Sequence, residues 1–95
     1  MSPALDEIRL KVASPMSLRG VVRAGIFGSF ARGDATANSD VDFLVEFEEG
    51  RTLIDLSGLR LDLQDVLGRD VDVATPRSLH PKRRDRILGE LIPVL

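Results

Sequence analysis

Two apolar segments of the sequence lie so close together that they limit how a sheet can be arranged. VVRAGIF at residues 21–27 is rich in β-branched and aromatic residues, and DVDFLVEFE at 40–48 alternates apolar with polar residues, which is the period of a strand. The link between them holds a short predicted helix at 29–33 and a small polar loop at 34–39. Parallel strands need a crossover of a dozen or more residues, usually a full helix, so we expect this pair to be antiparallel.

Helical periodicity predicts longer helices before and after these strands. Leu5, Ile8 and Val12 recur at helical spacing and indicate a helix over residues 3–13, which Ser14-Pro15 is expected to end. A second helix is predicted over residues 52–67, from an apolar stripe of Leu53, Leu56, Leu59, Leu63 and Val66.

The sequence also predicts the caps of the helix at 52–67. Thr52 and Asp55 resemble a capping box, and Gly68 suits the position just past a helix end. Residues 70–74 (DVDVA) read as a third strand, and 77–91 as a final helix. The sequence therefore predicts an α/β (α+β) fold in one domain spanning 1–95, a small mixed sheet of about three to four strands flanked by helices.

Composition excludes several classes of protein. The chain has no cysteine, so disulfides and zinc–thiolate sites are excluded. A net charge of −2 and the absence of Trp and Tyr argue against direct nucleic-acid binding, since neither a basic footprint nor a base-stacking surface is available. No apolar run is long enough to span a membrane, and the charged N-terminus lacks a signal-peptide core, so we expect a cytoplasmic protein.

Paired aspartates mark two of the predicted strands. Asp40 and Asp42 are two residues apart and therefore point to one face, and Asp70 and Asp72 repeat the pattern on the third strand. Carboxylates this close repel each other unless a cation neutralises them, and oxygen-only ligands favour Mg²⁺. The alternative is that these acids are simply solvated at strand ends, because such pairs also occur by chance in an Asp-rich chain.

The turn after the first strand could bind an anion. Gly28 allows close approach of the backbone to a ligand, and Ser29 adds a hydroxyl beside backbone N–H groups at the start of a helix. Arg32 lies one turn further on, within reach of a phosphate. An ordinary turn glycine and helix cap would explain the same residues, but would not explain why an anion site and paired acids flank one short connection.

Two features near the C-terminus are assigned structural roles. The run PKRRDR at residues 81–86 is predicted to be a solvated helix face, with a contact to a partner or nucleic acid as the alternative. His80 is the one histidine of the chain and is expected to sit at a helix start rather than to ligate a metal.

Gly-Ser, ten intervening residues and DVD together resemble the GSx10DxD signature of the DNA polymerase β-like nucleotidyltransferase superfamily. The longer string GSFARGDATANSDVDFLVEF is similar to the minimal nucleotidyltransferase (MNT) subgroup, and the likeness continues through LGRDVDVATPRSLHPKRRDRILGE. The resemblance covers nearly the whole chain.

The resemblance implies a role for each matching residue. Asp40 and Asp42 would hold two Mg²⁺ ions that bridge the triphosphate of ATP, and Asp72 would complete one metal site. Asp72 is chosen over Asp70 by its position in the family pattern, because spacing alone leaves both open. The nucleotide-binding residues implied are Gly28, Ser29, Arg32 and Ser39, although a turn-capping role for Ser39 is equally open.

The same resemblance implies an antitoxin encoded beside a HEPN-type toxin, transferring AMP from ATP to a toxin tyrosine and releasing pyrophosphate. The sequence leaves no residues for an acceptor-binding domain, so we expect the acceptor on another molecule, and the absence of Tyr rules out a self-modified tyrosine. Two alternatives remain. One is a non-catalytic antitoxin that masks its toxin by binding. The other is a small-molecule nucleotidyltransferase that acts with a separate substrate-binding subunit.

Overall fold

The computed structural model describes residues 3–95 as a four-stranded mixed sheet with helices. In chain order the elements are α1 (Pro3–Leu18), β1 (Val21–Phe27), α2 (Ser29–Arg32), β2 (Val41–Phe47), α3 (Leu53–Leu67), β3 (Val71–Ala74), a 3₁₀ turn (Pro76–Ser78), α4 (Pro81–Glu90) and β4 (Ile92–Pro93). Within residues 3–95, no helix is both long enough and apolar enough to cross a membrane.

The sheet order is β3-β2-β1-β4. β1 pairs antiparallel with β2, as the short link predicts, and a register shift near Val22 accommodates one irregular residue in β1. β2 and β3 run parallel, with Asp42 directly beside Asp72, so α3 makes the crossover that its length allows. β4 adds two residues to the free edge of β1, where Gly25 pairs with Pro93.

The hydrophobic core lies between one face of the sheet and the helices α1 and α3. Val41, Phe43 and Val45 of β2 are fully buried on this face. They meet the apolar stripes of α1 (Leu5, Ile8, Val12, Met16) and α3 (Leu59, Leu63). Because side chains alternate along a strand, Asp42 must lie on the opposite face, with Asp72 beside it.

Helix α1 does not end at Ser14-Pro15, so that prediction is wrong. It continues through Pro15 to Leu18. A proline inside a helix removes one backbone hydrogen bond and costs about 3 kcal/mol. The full burial of Met16, one residue later, offsets part of this cost by removing a large apolar side chain from water.

The caps of α3 are confirmed, whereas the predicted 77–91 helix is divided. The Thr52 N–H donates to Asp55 Oδ2 (3.0 Å), the Ile54 N–H donates to Thr52 Oγ1 (3.2 Å), and Gly68 ends the helix at a φ of 67°. At the C-terminus, the 3₁₀ turn precedes α4, which begins only at Pro81 and ends at Glu90, and β4 follows. The His80 Nδ1 accepts from the Lys82 N–H (3.1 Å) and so caps the start of α4.

The predicted apolar stripe of α3 is only partly buried. Leu59 and Leu63 are fully buried, whereas Leu53 is 78% exposed. Leu53 is the first residue of the helix.

Candidate active site

A cleft of about 360 Å³ lies on the face of the sheet opposite the core, at the ends of β1 and β2. It brings together six residues that the sequence predicts for the site, namely Gly28, Ser29, Arg32, Ser39, Asp40 and Asp42. Asp72 does not line this cleft but lies on the neighbouring strand, in register with Asp42. The predicted anion donors and carboxylates are therefore adjacent in space.

The electrostatic environment of the Asp42 carboxylate raises its pKa. Burial raises its pKa above the ordinary 3.8, the negative charges of Asp72 and Asp40 raise it further, and the nearby guanidinium groups of Arg32 and Arg83 partly oppose them. The negative charges of Asp72 and Asp40 thus both act on the Asp42 carboxylate, and a bound cation would relieve this repulsion.

The donor set fits Mg²⁺ together with a polyphosphate rather than Mg²⁺ alone. Among residues 3–95, no three acidic or histidine side chains converge into a ready-made metal cluster. Mg²⁺ commonly takes only one or two carboxylates, keeps several waters and completes its shell with substrate phosphates. Asp40, Asp42 and Asp72 offer oxygen ligands only, which is the chemistry that Mg²⁺ requires.

Gly28 fits closely against Asp42. Its backbone has φ 76° and ψ −152°, a combination that residues other than glycine essentially never adopt. A Cβ at this position would overlap Asp42 Oδ2 and would lie 3.2 Å from Asp42 Cγ. The glycine therefore allows both the turn after β1 and the position of the carboxylate.

The predicted anion donors of the turn contact a carboxylate of the chain itself, that of Glu90. The Gly28 N–H donates to Glu90 Oε1 at 2.9 Å, which shows that this donor faces the cleft. Arg32 Nη1 lies 3.5 Å from both Glu90 oxygens, and Arg32 Nε lies 3.4 Å from Asp34 Oδ2. The Ser29 hydroxyl makes no hydrogen bond within residues 3–95.

Ser39 supports the loop that carries Asp40. Its Oγ accepts from the Thr36 N–H at 2.8 Å, so the hydroxyl is used in the turn even though the residue borders the cleft. Its carbonyl oxygen accepts from Arg69 Nη1 at 3.2 Å. The guanidinium of Arg69 also lies 5.0 Å from the ring centroid of Phe30, which follows Ser29.

Arg69 thus connects the Gly-Ser turn to the loop that carries Asp40, and no sequence pattern indicated this role. One side of its guanidinium stacks on α2 beside Ser29, and its N–H groups reach the loop just before Asp40. Asp70, the acid next to it, lies outside the cleft, and its carbonyl accepts from the Val41 N–H at 3.1 Å.

Three residues of α4 also line the cleft, and the sequence analysis missed all of them. Arg83, Arg86 and Glu90 lie three and four residues apart, so one helical face presents them together. Arg83 and Arg86 are exposed, as the predicted solvated helix face requires, and they also border the cleft. Arg84 points elsewhere and donates to the Pro76 carbonyl at 3.3 Å. The spacing was visible in the sequence, but the packing of α4 beside β1 was not.

Comparison with known proteins identifies the family and the fold. The sequence profile of the family described as "Nucleotidyltransferase domain" matches residues 5–94. A Methanocaldococcus jannaschii protein that is provisionally named a protein adenylyltransferase is 48% identical over 91 residues, covering 96% of this chain and 98% of the relative. A solved structure provisionally described as a minimal nucleotidyltransferase superposes with a TM-score of 0.83 at 47% identity, covering 95% of this chain and 92% of that one.

A more distant structure shares the fold. A chain in the complex of a tri-AMPylated Shewanella oneidensis HEPN toxin with an MNT antitoxin superposes with a TM-score of 0.72 at 17% identity. The superposition covers 96% of this chain and 71% of that chain.

Proposed function

This chain belongs to the nucleotidyltransferase domain family, and we propose that it is a protein adenylyltransferase that acts as the antitoxin of a HEPN-type toxin. It would move AMP from ATP to a tyrosine hydroxyl of the toxin. The observation that supports this most strongly is the cleft, where the Gly28 N–H lies close to the Asp42 carboxylate and Asp72 is in register with Asp42 on the neighbouring strand. The N–H group suits a phosphate, and the carboxylates suit the cation that accompanies the phosphate.

The proposed reaction is an in-line displacement at the α-phosphorus of ATP. The tyrosine oxygen forms a bond to the α-phosphorus, the bond to the oxygen bridging the α- and β-phosphorus breaks, and pyrophosphate leaves while the hydroxyl proton is released. Mg²⁺, when bound, would neutralise the charge on the attacking and leaving oxygens. Asp40, Asp42 and Asp72 would hold the metal.

Other residues of the cleft would bind and position the nucleotide. The Gly28 N–H and the unpaired Ser29 hydroxyl would donate to phosphate oxygens, after the Glu90 carboxylate has left the Gly28 N–H. Arg32 adds a charged donor at the same end of the cleft. Ser39 and Arg69 would keep Asp40 and the Gly-Ser turn at a constant separation.

The names of the relatives support the proposal that the acceptor is a protein. A relative at 48% identity is named for transfer to proteins, and the Shewanella complex pairs an antitoxin of this fold with a HEPN toxin that carries AMP groups. The chain itself contains no tyrosine, so a tyrosine acceptor has to come from another molecule. ATP and a HEPN-type toxin are therefore the substrate and partner that we propose.

The test uses a HEPN-type toxin as acceptor, sought in the reading frame adjacent to the gene of this chain. Purified toxin would be incubated with ATP, Mg²⁺ and either the wild-type chain or the Asp40→Asn, Asp42→Asn double variant, and AMP attachment would be read by mass spectrometry. We expect AMP on a toxin tyrosine with the wild-type chain alone. If neither protein modifies the toxin yet both protect growing cells from it, neutralisation is by masking and the proposed enzymatic function is wrong.

A further inference from the structure

We propose that α4 forms the polyphosphate-binding wall of the cleft, with Arg83 and Arg86 donating to the phosphates of ATP that leave as pyrophosphate. This inference rests on the proposed nucleotidyl transfer and adds two substrate-binding residues to it. Neither residue belongs to the GSx10DxD pattern.

The first argument is position. Arg83 and Arg86 are three residues apart on α4, and both border the same cleft as Gly28, Ser29 and Asp42. The transferred α-phosphate has to lie beside the carboxylates that would hold the metal. The remaining phosphates then extend towards the donors that line the rest of the cleft, namely the Gly28 N–H, Arg32 and the two arginines of α4.

The second observation concerns the pairing of the two guanidinium groups, of which Arg83 is near enough for its charge to act on Asp42. Other arginines form ion pairs with carboxylates. Arg19 pairs with Asp62 at 2.9 Å, and Arg51 pairs with Glu48 at 2.7 Å. Within residues 3–95, neither Arg83 nor Arg86 forms an ion pair or a side-chain hydrogen bond. Five N–H donors on each planar group are thus free for a ligand, and the guanidinium fork matches phosphate oxygens.

The third argument is the charge balance of the cleft. Asp40, Asp42 and Glu90 contribute negative charge, and Arg32 is already engaged by Asp34 and Glu90. Mg²⁺ compensates the acids and part of the triphosphate, but ATP brings about four negative charges at neutral pH. Arg83 and Arg86, which form no ion pair within residues 3–95, add two positive charges to this balance.

The experiment measures binding without any acceptor protein. Isothermal titration calorimetry would compare ATP, tripolyphosphate and AMP, each with Mg²⁺, binding to wild type, Arg83→Gln with Arg86→Gln, and Arg84→Gln. Arg84→Gln is the matched control, because it removes the same charge from the same helix outside the cleft. Thermal melting of each variant would verify folding, which we expect to be unchanged because the cleft arginines are exposed and unpaired.

We expect the double variant to bind ATP and tripolyphosphate roughly 100-fold more weakly, at about tenfold for each lost charge-assisted interaction, while AMP binding changes less than about threefold. Arg84→Gln should bind all three ligands as wild type does. Equal loss for AMP and ATP would overturn the assignment, since the arginines would then not contact the leaving phosphates.

The remaining outcomes separate this inference from the proposed function. If the wild-type chain binds ATP and the double variant binds it equally tightly, α4 is not the phosphate wall, although nucleotidyl transfer stands. If the wild-type chain binds neither ATP nor tripolyphosphate, both the inference and the proposed function fail.

Discussion

Gly28→Ala is expected to abolish transfer while leaving the chain folded. The φ of 76° and ψ of −152° at Gly28 place alanine in a strained region that costs about 1–3 kcal/mol. Domains of this size have unfolding free energies of about 5–15 kcal/mol, so most of the population stays folded. The new Cβ overlaps Asp42 Oδ2, with Asp42 Cγ and Cβ at 3.2 and 3.5 Å, so the carboxylate has to move.

The displacement of Asp42 should dominate the functional effect. Misplacement of a reacting group by about 1 Å can lower a rate roughly 100-fold, and we expect at least that loss of AMP transfer. Gly50→Ala is the matched control, because Gly50 also has a positive φ (88°) but a Cβ there would meet no atom within 4 Å. It should lose a comparable amount of stability and keep its activity.

The assays are urea unfolding of both variants and the rate of AMP transfer to the toxin, each compared with wild type. A Gly28→Ala protein that transfers AMP at more than about a third of the wild-type rate would refute the reasoning, because the contact with Asp42 would then be irrelevant. Parallel losses of activity in Gly28→Ala and Gly50→Ala would refute it too, since backbone strain alone would explain both.

Substitutions at three residues provide further tests of the site. Burial and neighbouring acids raise the pKa of Asp42 in the folded state, so the stability from its protonated form is present below pH 3.8 and is lost as pH rises through the folded pKa. In chelator, Asp42→Asn should therefore gain unfolding free energy relative to wild type as the pH rises above 3.8. Urea titrations showing no gain would contradict this. Arg69→Met should lower the maximal transfer rate about tenfold and change ATP affinity less than threefold, because Arg69 contacts the loop before Asp40 and the Phe30 ring beside the Gly-Ser turn. Arg69→Lys should not restore the rate. A loss of ATP affinity with no change in the maximal rate would disprove the positioning role. Glu90→Gln keeps an acceptor for the Gly28 N–H but removes the competing charge, so calorimetry should show severalfold tighter ATP binding with Mg²⁺, and weaker binding would show that Glu90 does not compete with phosphate.

Local patterns in the sequence predict much of the sheet and one half of the site. Alternation places Asp42 opposite the core-facing Phe43, and the short link after Gly28 requires the antiparallel pair. These are consequences of neighbouring residues and of chain length. Pro15 shows their limit, because burial of Met16 in the tertiary structure outweighs the local preference to end the helix.

The other half of the site depends on packing that no local pattern contains. Arg83, Arg86 and Glu90 share a helical face, but only the position of α4 against β1 turns that face into the cleft. Arg69 acts through a ring on α2 and a carbonyl before β2, far from it in sequence. The two-residue strand β4 is too short for any periodicity to predict.

The most direct test of the central claim is the mass of the toxin after incubation with this chain, ATP and Mg²⁺. The account predicts that wild type adds AMP to a toxin tyrosine, and that the Asp40→Asn, Asp42→Asn variant, folded by circular dichroism, adds none. AMP transfer by that variant at a rate comparable to wild type would contradict the account, because the chemistry would then not depend on the carboxylates of the cleft.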